Sequence, residues 1–301
     1  MSNFIQNHIG ELAALFTAIC WTATSIFFEQ ASKKTNSFAI NIIRLVLALV
    51  FLSVFCLVVY KRILPFNASL HSIIWLSISG LIGFTLGDLF LFEAFVLIGA
   101  RVSMLIMALA PPLAAIIGFF FFQETMSIKS LFGMILTLTG ITFVILERNN
   151  KTIRINKKQL FIGILLAFGG AVGQALGLNL SKFGMSDLDP FSSTQIRVIA
   201  GIVGFIIAFS FMKVWSKVLI SLKNREAMTF ASLGAFFGPF LGVSFSLLAI
   251  KHTSTGVAST IMALPPVLII PVAVFILKEK ISIKEVFSSF IAVAGTVIFF
   301  I

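Results

Sequence analysis

The sequence is poor in charge. Only 11% of its 301 residues are Asp, Glu, Lys or Arg, against roughly 25% in a soluble domain, which leaves too little polar surface to cover a water-facing globule. Histidine and cysteine are scarce as well, at three and two residues. His8, His71 and His252 lie far apart, and neither a His-Glu-x-x-His motif nor a paired-cysteine spacing is present, so no metal site is indicated. Cys20 and Cys56 fall within apolar stretches, where a free cysteine behaves as a small hydrophobe, and imply no disulfide framework. A Gly-x-Ser-x-Gly elbow and a Walker phosphate loop are also missing. These absences argue against an enzyme, a cofactor and ATP-driven work, leaving an ion gradient or exchange as the energy source for any vectorial process.

What fills the chain instead is apolar. Hydrophobic residues make up 59% and the mean hydropathy is +1.10. Stretches long enough to cross a bilayer fall at about 10–30, 38–60, 72–98, 102–122, 130–146, 160–181, 191–212, 228–250, 256–277 and 285–301. The amino-terminal MSNFIQNHIGELAALF carries no Lys or Arg before its apolar run and reads as the start of the first span rather than as a signal peptide. The net charge of +11 resides in short basic runs between spans, the pattern of membrane loops rather than of a nucleic-acid surface. The expected fold class is therefore an all-α integral membrane protein of about ten transmembrane helices, with the lipid bilayer as its main environment.

The chain also repeats itself. Residues 106–124 read IMALAPPLAAIIGFFFFQE, and residues 261–279, at an offset of 155, read IMALPPVLIIPVAVFILKE. At the same offset Gly83-x-x-x-Gly87 matches Gly238-x-x-x-Gly242, and Glu124, Ser127, Ile128 and Lys129 match Glu279, Ser282, Ile283 and Lys284. At an offset of 153, Gly10 matches Gly163 and Arg44 matches Arg197. This gives a first five-helix repeat over 10–146, a basic connector over 147–159 and a second five-helix repeat over 160–301. An odd number of spans per repeat forces the second copy to enter the membrane from the opposite side, so the repeats are inverted.

Several residues stand out as candidates for chemistry. Pro111 and Pro112 interrupt the fourth span, and Pro265 and Pro266 interrupt the ninth, freeing carbonyls near Met107, Ala108, Ile261 and Met262. Helices broken at matching depths point to a solute site at mid-membrane, although a packing kink is the simpler alternative. Asp88 and Glu93 are intramembrane carboxylates, a class that usually faces a bundle interior. Their repeat partners are Val243 and Leu248, so the fold itself does not require acids there. Five residues apart, they point about 140° from each other around a helix. Either acid could carry a proton or bind an amine, or could simply pair with a cation such as Arg101. Arg44 and Arg197 occur in both repeats, as structural anchors or as contacts for a carboxylate or phosphate. Gln174, Asn179 and Gln195 could line a cavity or bond between helices. Glu124 and Glu279, which end the proline-bearing helices, read as structural. The glycine stripes, including Gly169, Gly173 and Gly177, suit close helix packing.

Trp21 in the first span, an early Arg in the second, the phrase LIGARVSMLIMALAPPLAAIIGFFFFQE in the fourth and SIKSLFGMILTLTGITFVI in the fifth, followed by a second copy, resemble the EamA-domain branch of the drug/metabolite transporter superfamily. The resemblance covers the chain from about Gly10 to Ile301 and implies ten helices around a central cavity. It also implies secondary transport, as an exporter, of a small organic metabolite such as an amino acid, with protons or a counter-solute as partners. A structural or regulatory membrane subunit and a lipid-handling protein are the alternatives. One departure is that Gln174 stands where the family pattern repeats Trp21. The expected location is a plasma or bacterial inner membrane. Loop charges and family resemblance disagree on orientation: 15 Lys and Arg lie on the side of the 147–159 connector against 5 opposite, placing both termini outside, whereas the resemblance implies cytoplasmic termini. Substrate, direction and oligomeric state are not encoded in any motif.

Overall fold

A computed structural model describes residues 2–147, 157–275 and 282–301. Most of the connector (148–156) and Glu279 lie outside the described residues, as does the side chain of Arg101. The described chain is helical, and no strand occurs among the described residues. A short α1 (Ser2–Asn7) leads into α2 (Ile9–Lys34) and α3 (Ser37–Tyr60). Then α4 (Leu70–Gly80) continues through a π-helical segment, Leu81–Gly87, into α5 (Asp88–Met107), followed by α6 (Ala110–Phe122) and α7 (Ile128–Glu147). The second half comprises α8 (Lys157–Met185), α9 (Pro190–Met212), α10 (Trp215–Leu222) and α11 (Arg225–Ala235). A second π-helical segment, Phe236–Gly242, leads to α12 (Val243–His252), α13 (Thr255–Met262), α14 (Pro265–Phe275) and α15 (Ile283–Val297).

Among the described residues nine helical stretches are long and apolar enough to span a membrane, and Ala110–Phe122 is a shorter apolar helix. Together they match the ten expected spans. The turn between the third and fourth is hidden inside α5. Gly170 lies against both Gly87 and Met107, which a straight helix would hold about 30 Å apart at 1.5 Å per residue. The chain therefore doubles back, and the packing partners follow: Ile98 meets Gly163, Met107 meets Gly170 and Ala114 meets Asn179.

Helix ends in the short connectors are satisfied locally. Asn36, Ser69, Asp189, Asn224 and Ser254 each accept a bond from a backbone N–H of the helix they open, a cap worth about 1 kcal/mol. The outer surface is apolar, as lipid requires: Val46, Val50, Val54 and Leu57 form an exposed stripe on α3.

The contacts obey a twofold relation. Gly83 lies against Gly177, and its repeat mate Gly238 lies against Thr24, the mate of Gly177. Gly87 approaches Gln174, and Gly242 approaches Trp21, the mate of Gln174. Gly140 packs on Ala292 while Gly295 packs on Thr137. Each contact maps onto its reverse when the repeats are exchanged, which is the signature of a twofold relation between the halves, and with five spans in each half that relation makes them inverted repeats. The third span of each repeat thus packs on the first span of the other, and the fifth and tenth spans pair with each other. The two ends of the chain meet on one side, with the His8 and Phe300 rings 5.8 Å apart.

Candidate functional site

The glycine approaches hold the repeats together around a cavity of about 340 Å³, at the lower end of small-molecule pockets. Its lining is largely paired by the repeat. Trp21 and Gln174, Arg44 and Arg197, Gly83 and Gly238, Met107 and Met262, and Pro111 and Pro266 face it from opposite halves. Both π-helical segments contribute, through Gly83 with Phe84 and Gly238 with Pro239. In the second repeat the cause is evident: Pro239 has no N–H, so the α ladder cannot close through it. The segments lie at the same repeat position and widen the helix where it meets the cavity, as π turns at functional sites do.

Both proline-bearing spans break just before their proline pair. α6 opens after a turn at Ala108 and Leu109, and α14 opens after a turn at Ala263 and Leu264. The chain tightens at each break, Leu109 N–H donating to the Ile106 carbonyl and Leu264 N–H to the Ile261 carbonyl, at 3.0 and 3.2 Å. Pro111, Pro265 and Pro266 line the cavity together with Ala108 and Ala263; Pro112 is not among the lining residues.

Charge is distributed unequally. The Arg44 guanidinium donates to the Asp88 carboxylate within the cavity wall, and its Cζ stands 5.5 Å from the Phe28 ring centroid. Arg197 is only 6% exposed, its Cζ lies 4.9 Å from the Phe84 ring centroid, and its Nε is buried without a partner. Among the described residues no carboxylate pairs with Arg197, because Val243 occupies the position that Asp88 holds in the first repeat. The cavity hydroxyls turn their protons elsewhere: Thr24 donates to the Gly234 carbonyl, Ser246 to Val243 and Ser259 to Thr255, at 2.6, 2.7 and 2.6 Å. Gln174 presents an exposed amide. The walls are otherwise largely apolar, with Leu91, Met104 and Met262, while Trp21 adds an indole ring that carries one N–H donor.

Three sequence candidates fall elsewhere. Glu93 is exposed and is not among the lining residues, as its angle from Asp88 anticipates. Asn179 is buried, donating to the Ala114 and Ala175 carbonyls at 3.1 and 2.9 Å and accepting from Thr255 Oγ1 at 3.2 Å, so it bonds between helices. Gln195 likewise ties Ser53 and the Ile63 carbonyl, at 3.0 and 2.7 Å. Near the chain termini, Glu124 meets Lys182 at 2.6 Å and accepts from the N–H and Oγ1 of Thr255, both at 2.8 Å. Sequence reading assigned Glu124 a structural role but missed this cluster, which joins the first repeat to the second at the end of the cavity-forming helices.

Comparison with known proteins agrees with this architecture. The model of the EamA-like transporter family matches residues 8–146 and 161–301. An uncharacterized transporter of Haemophilus influenzae is 28% identical over 218 residues, covering 71% of this chain and 67% of that protein. The uncharacterized transporter YyaM of Bacillus subtilis is 27% identical over 195 residues, covering 64% of this chain and 61% of that one. A solved crystal structure shares the fold with a TM-score of 0.76 at 15% identity, over 97% of this chain and 96% of its own. With both of its repeats matched, this multi-pass membrane protein belongs to the EamA-like transporter family.

Proposed function

We propose that the chain is a secondary exporter of a small organic metabolite of amino-acid size, working by alternating access around the paired cavity. The observation that carries this reading is the repeat pairing of the lining itself. A site built from equivalent positions of two inverted halves can be exposed to either side by rocking one half against the other. Small-molecule solute and lipid are its partners, and protons or a counter-solute would supply the driving force. Asp88, the titratable acid in the wall, is the candidate for coupling.

The excess of loop Lys and Arg on the connector side favours a cytoplasmic connector and external termini. Glu124, Lys182 and Thr255 would then close the external side in this conformation. The test is profiling of the medium around cells that overproduce the protein, compared with empty-vector cells. A metabolite enriched outside supports export and names the solute; enrichment inside reverses the direction; identical profiles with a folded, membrane-inserted protein contradict metabolite transport.

A further inference from the structure

The two halves of the cavity are equal in cation and unequal in anion. Arg44 and Arg197 are repeat mates and both line the wall. In the first repeat Asp88 supplies the carboxylate that accepts from Arg44. In the second, the same backbone position carries Val243, which also lines the wall and has nothing to offer a guanidinium. Arg197 is nevertheless more than nine-tenths buried, faces the cavity, and has an Nε with no partner. Its Nη2 lies beside Gly83, where a glycine leaves the approach open.

A buried guanidinium without a counter-charge is costly, and the fold has kept one at the place where a solute would sit. We propose that the solute bears a carboxylate, and that this group docks on Arg197 as the Asp88 carboxylate docks on Arg44. The proposal rests on reading the cavity as the solute site. Three features favour it. One guanidinium left over after the Arg44–Asp88 pair provides a single positive charge, which suits a monocarboxylate better than a phosphate dianion. Thr24, Ser246 and Ser259 spend their protons on backbone carbonyls, so the donors they leave for an anion are the Arg197 guanidinium, the Gln174 amide, the Trp21 indole N–H and the Arg44 N–H groups that Asp88 does not take, and of these only Arg197 brings a charge without a carboxylate partner among the described residues. The flat planar fork of arginine matches a carboxylate in two parallel bonds, and the Phe84 ring, with its centroid 4.9 Å from the Arg197 Cζ, packs against the guanidinium. The remaining wall, with Trp21, Leu91 and Met262, suits an apolar body attached to that carboxylate.

The experiment is a binding titration on purified full-length protein in nanodiscs, read by tryptophan fluorescence and confirmed by calorimetry. The probes are benzoate against benzamide, and leucine against leucinamide, each pair differing in the carboxylate. At least one carboxylate should bind on the order of ten- to a hundredfold more tightly than its amide, the worth of a charge-assisted bond. Arg197→Gln should erase that preference, and Arg197→Lys should keep part of it. Val243→Asp leaves Arg197 in place but gives it the missing partner, so it too should erase the preference in a folded protein. Equal binding of acid and amide, no binding of either acid, or a preference that survives both Arg197→Gln and Val243→Asp would overturn the proposal. If carboxylates bind in this pattern but never cross a liposome membrane, the carboxylate assignment stands and the transport reading fails.

Discussion

Asp88 accepts a hydrogen bond from Arg44, and the two side chains, from the third and second spans respectively, retain 20% and 17% exposure at the cavity. This pairing neutralises one of the two repeat-related arginines and leaves the other, buried in the cavity wall, without a carboxylate partner among the described residues. Removing the acid therefore does more than delete a carboxylate. Asp88→Asn leaves Arg44 uncompensated, at a cost of about 2 kcal/mol, below the ~3–5 kcal/mol of a fully buried pair because both groups keep some solvent. The variant should melt lower in detergent and lose flux. Adding Arg44→Gln should restore much of the melting temperature without restoring flux. Normal flux in Asp88→Asn would remove this acid from the mechanism.

The Gly83–Gly177 approach sets how closely the third span packs on α8. A Cβ at Gly177 would lie 3.2 Å from the Gly83 Cα, against a backbone that cannot swing aside. Gly177→Ala should cost ~1–3 kcal/mol, the range of an overpacked core, and Gly177→Leu should prevent a monodisperse peak in size-exclusion chromatography. Gly169→Ala is the control. Its nearest neighbour is the movable Phe90 ring at 3.0 Å, so it should be tolerated.

The cluster of Glu124, Lys182 and Thr255 is not repeated at the matching positions of Lys182 and Thr255, and the other end is tied instead by the more exposed Lys34–Glu226 pair, at 2.6 Å. Repeat arithmetic places Glu29 opposite Lys182 and Ala100 opposite Thr255. The two gates of an alternating cycle would then differ in strength. Glu124→Gln should weaken closure on the side of the termini, raising several-fold the rate at which a membrane-impermeant thiol reagent added there labels a cysteine at Ser259, with Cys20 and Cys56 replaced by Ala. An unchanged rate would show that these bonds do not hold that side shut.

The sequence made the duplication plain, because identical residue types at a fixed offset need no structure to be seen. It also identified most of the cavity wall: Trp21, Asp88, Arg44, Arg197, Gln174 and three of the four prolines all line it. Helical angles separated Asp88 from Glu93 correctly, since that separation is a property of one helix. What could not be read was any relation between helices. The Arg44–Asp88 bond, the inter-repeat role of Asn179 and the crossing of each third span onto the other repeat's first span depend on which faces meet. The π-helical segments were partly legible through Pro239, a proline in the middle of the eighth span, but nothing at Phe84 signals the matching one in the first repeat. The turn within Asp88–Met107 is visible only from the packing of Gly170 against both Gly87 and Met107.

The most direct test of the central claim, that the paired cavity carries a solute across the bilayer, is counterflow in liposomes holding the purified protein. The solute found by medium profiling is loaded inside, and a labelled trace of it is supplied outside. The account predicts saturable tracer accumulation with the wild-type chain, and none above protein-free liposomes with a folded Asp88→Asn chain. Wild-type accumulation no faster than through lipid alone, or a saturable flux identical in both chains, would contradict it.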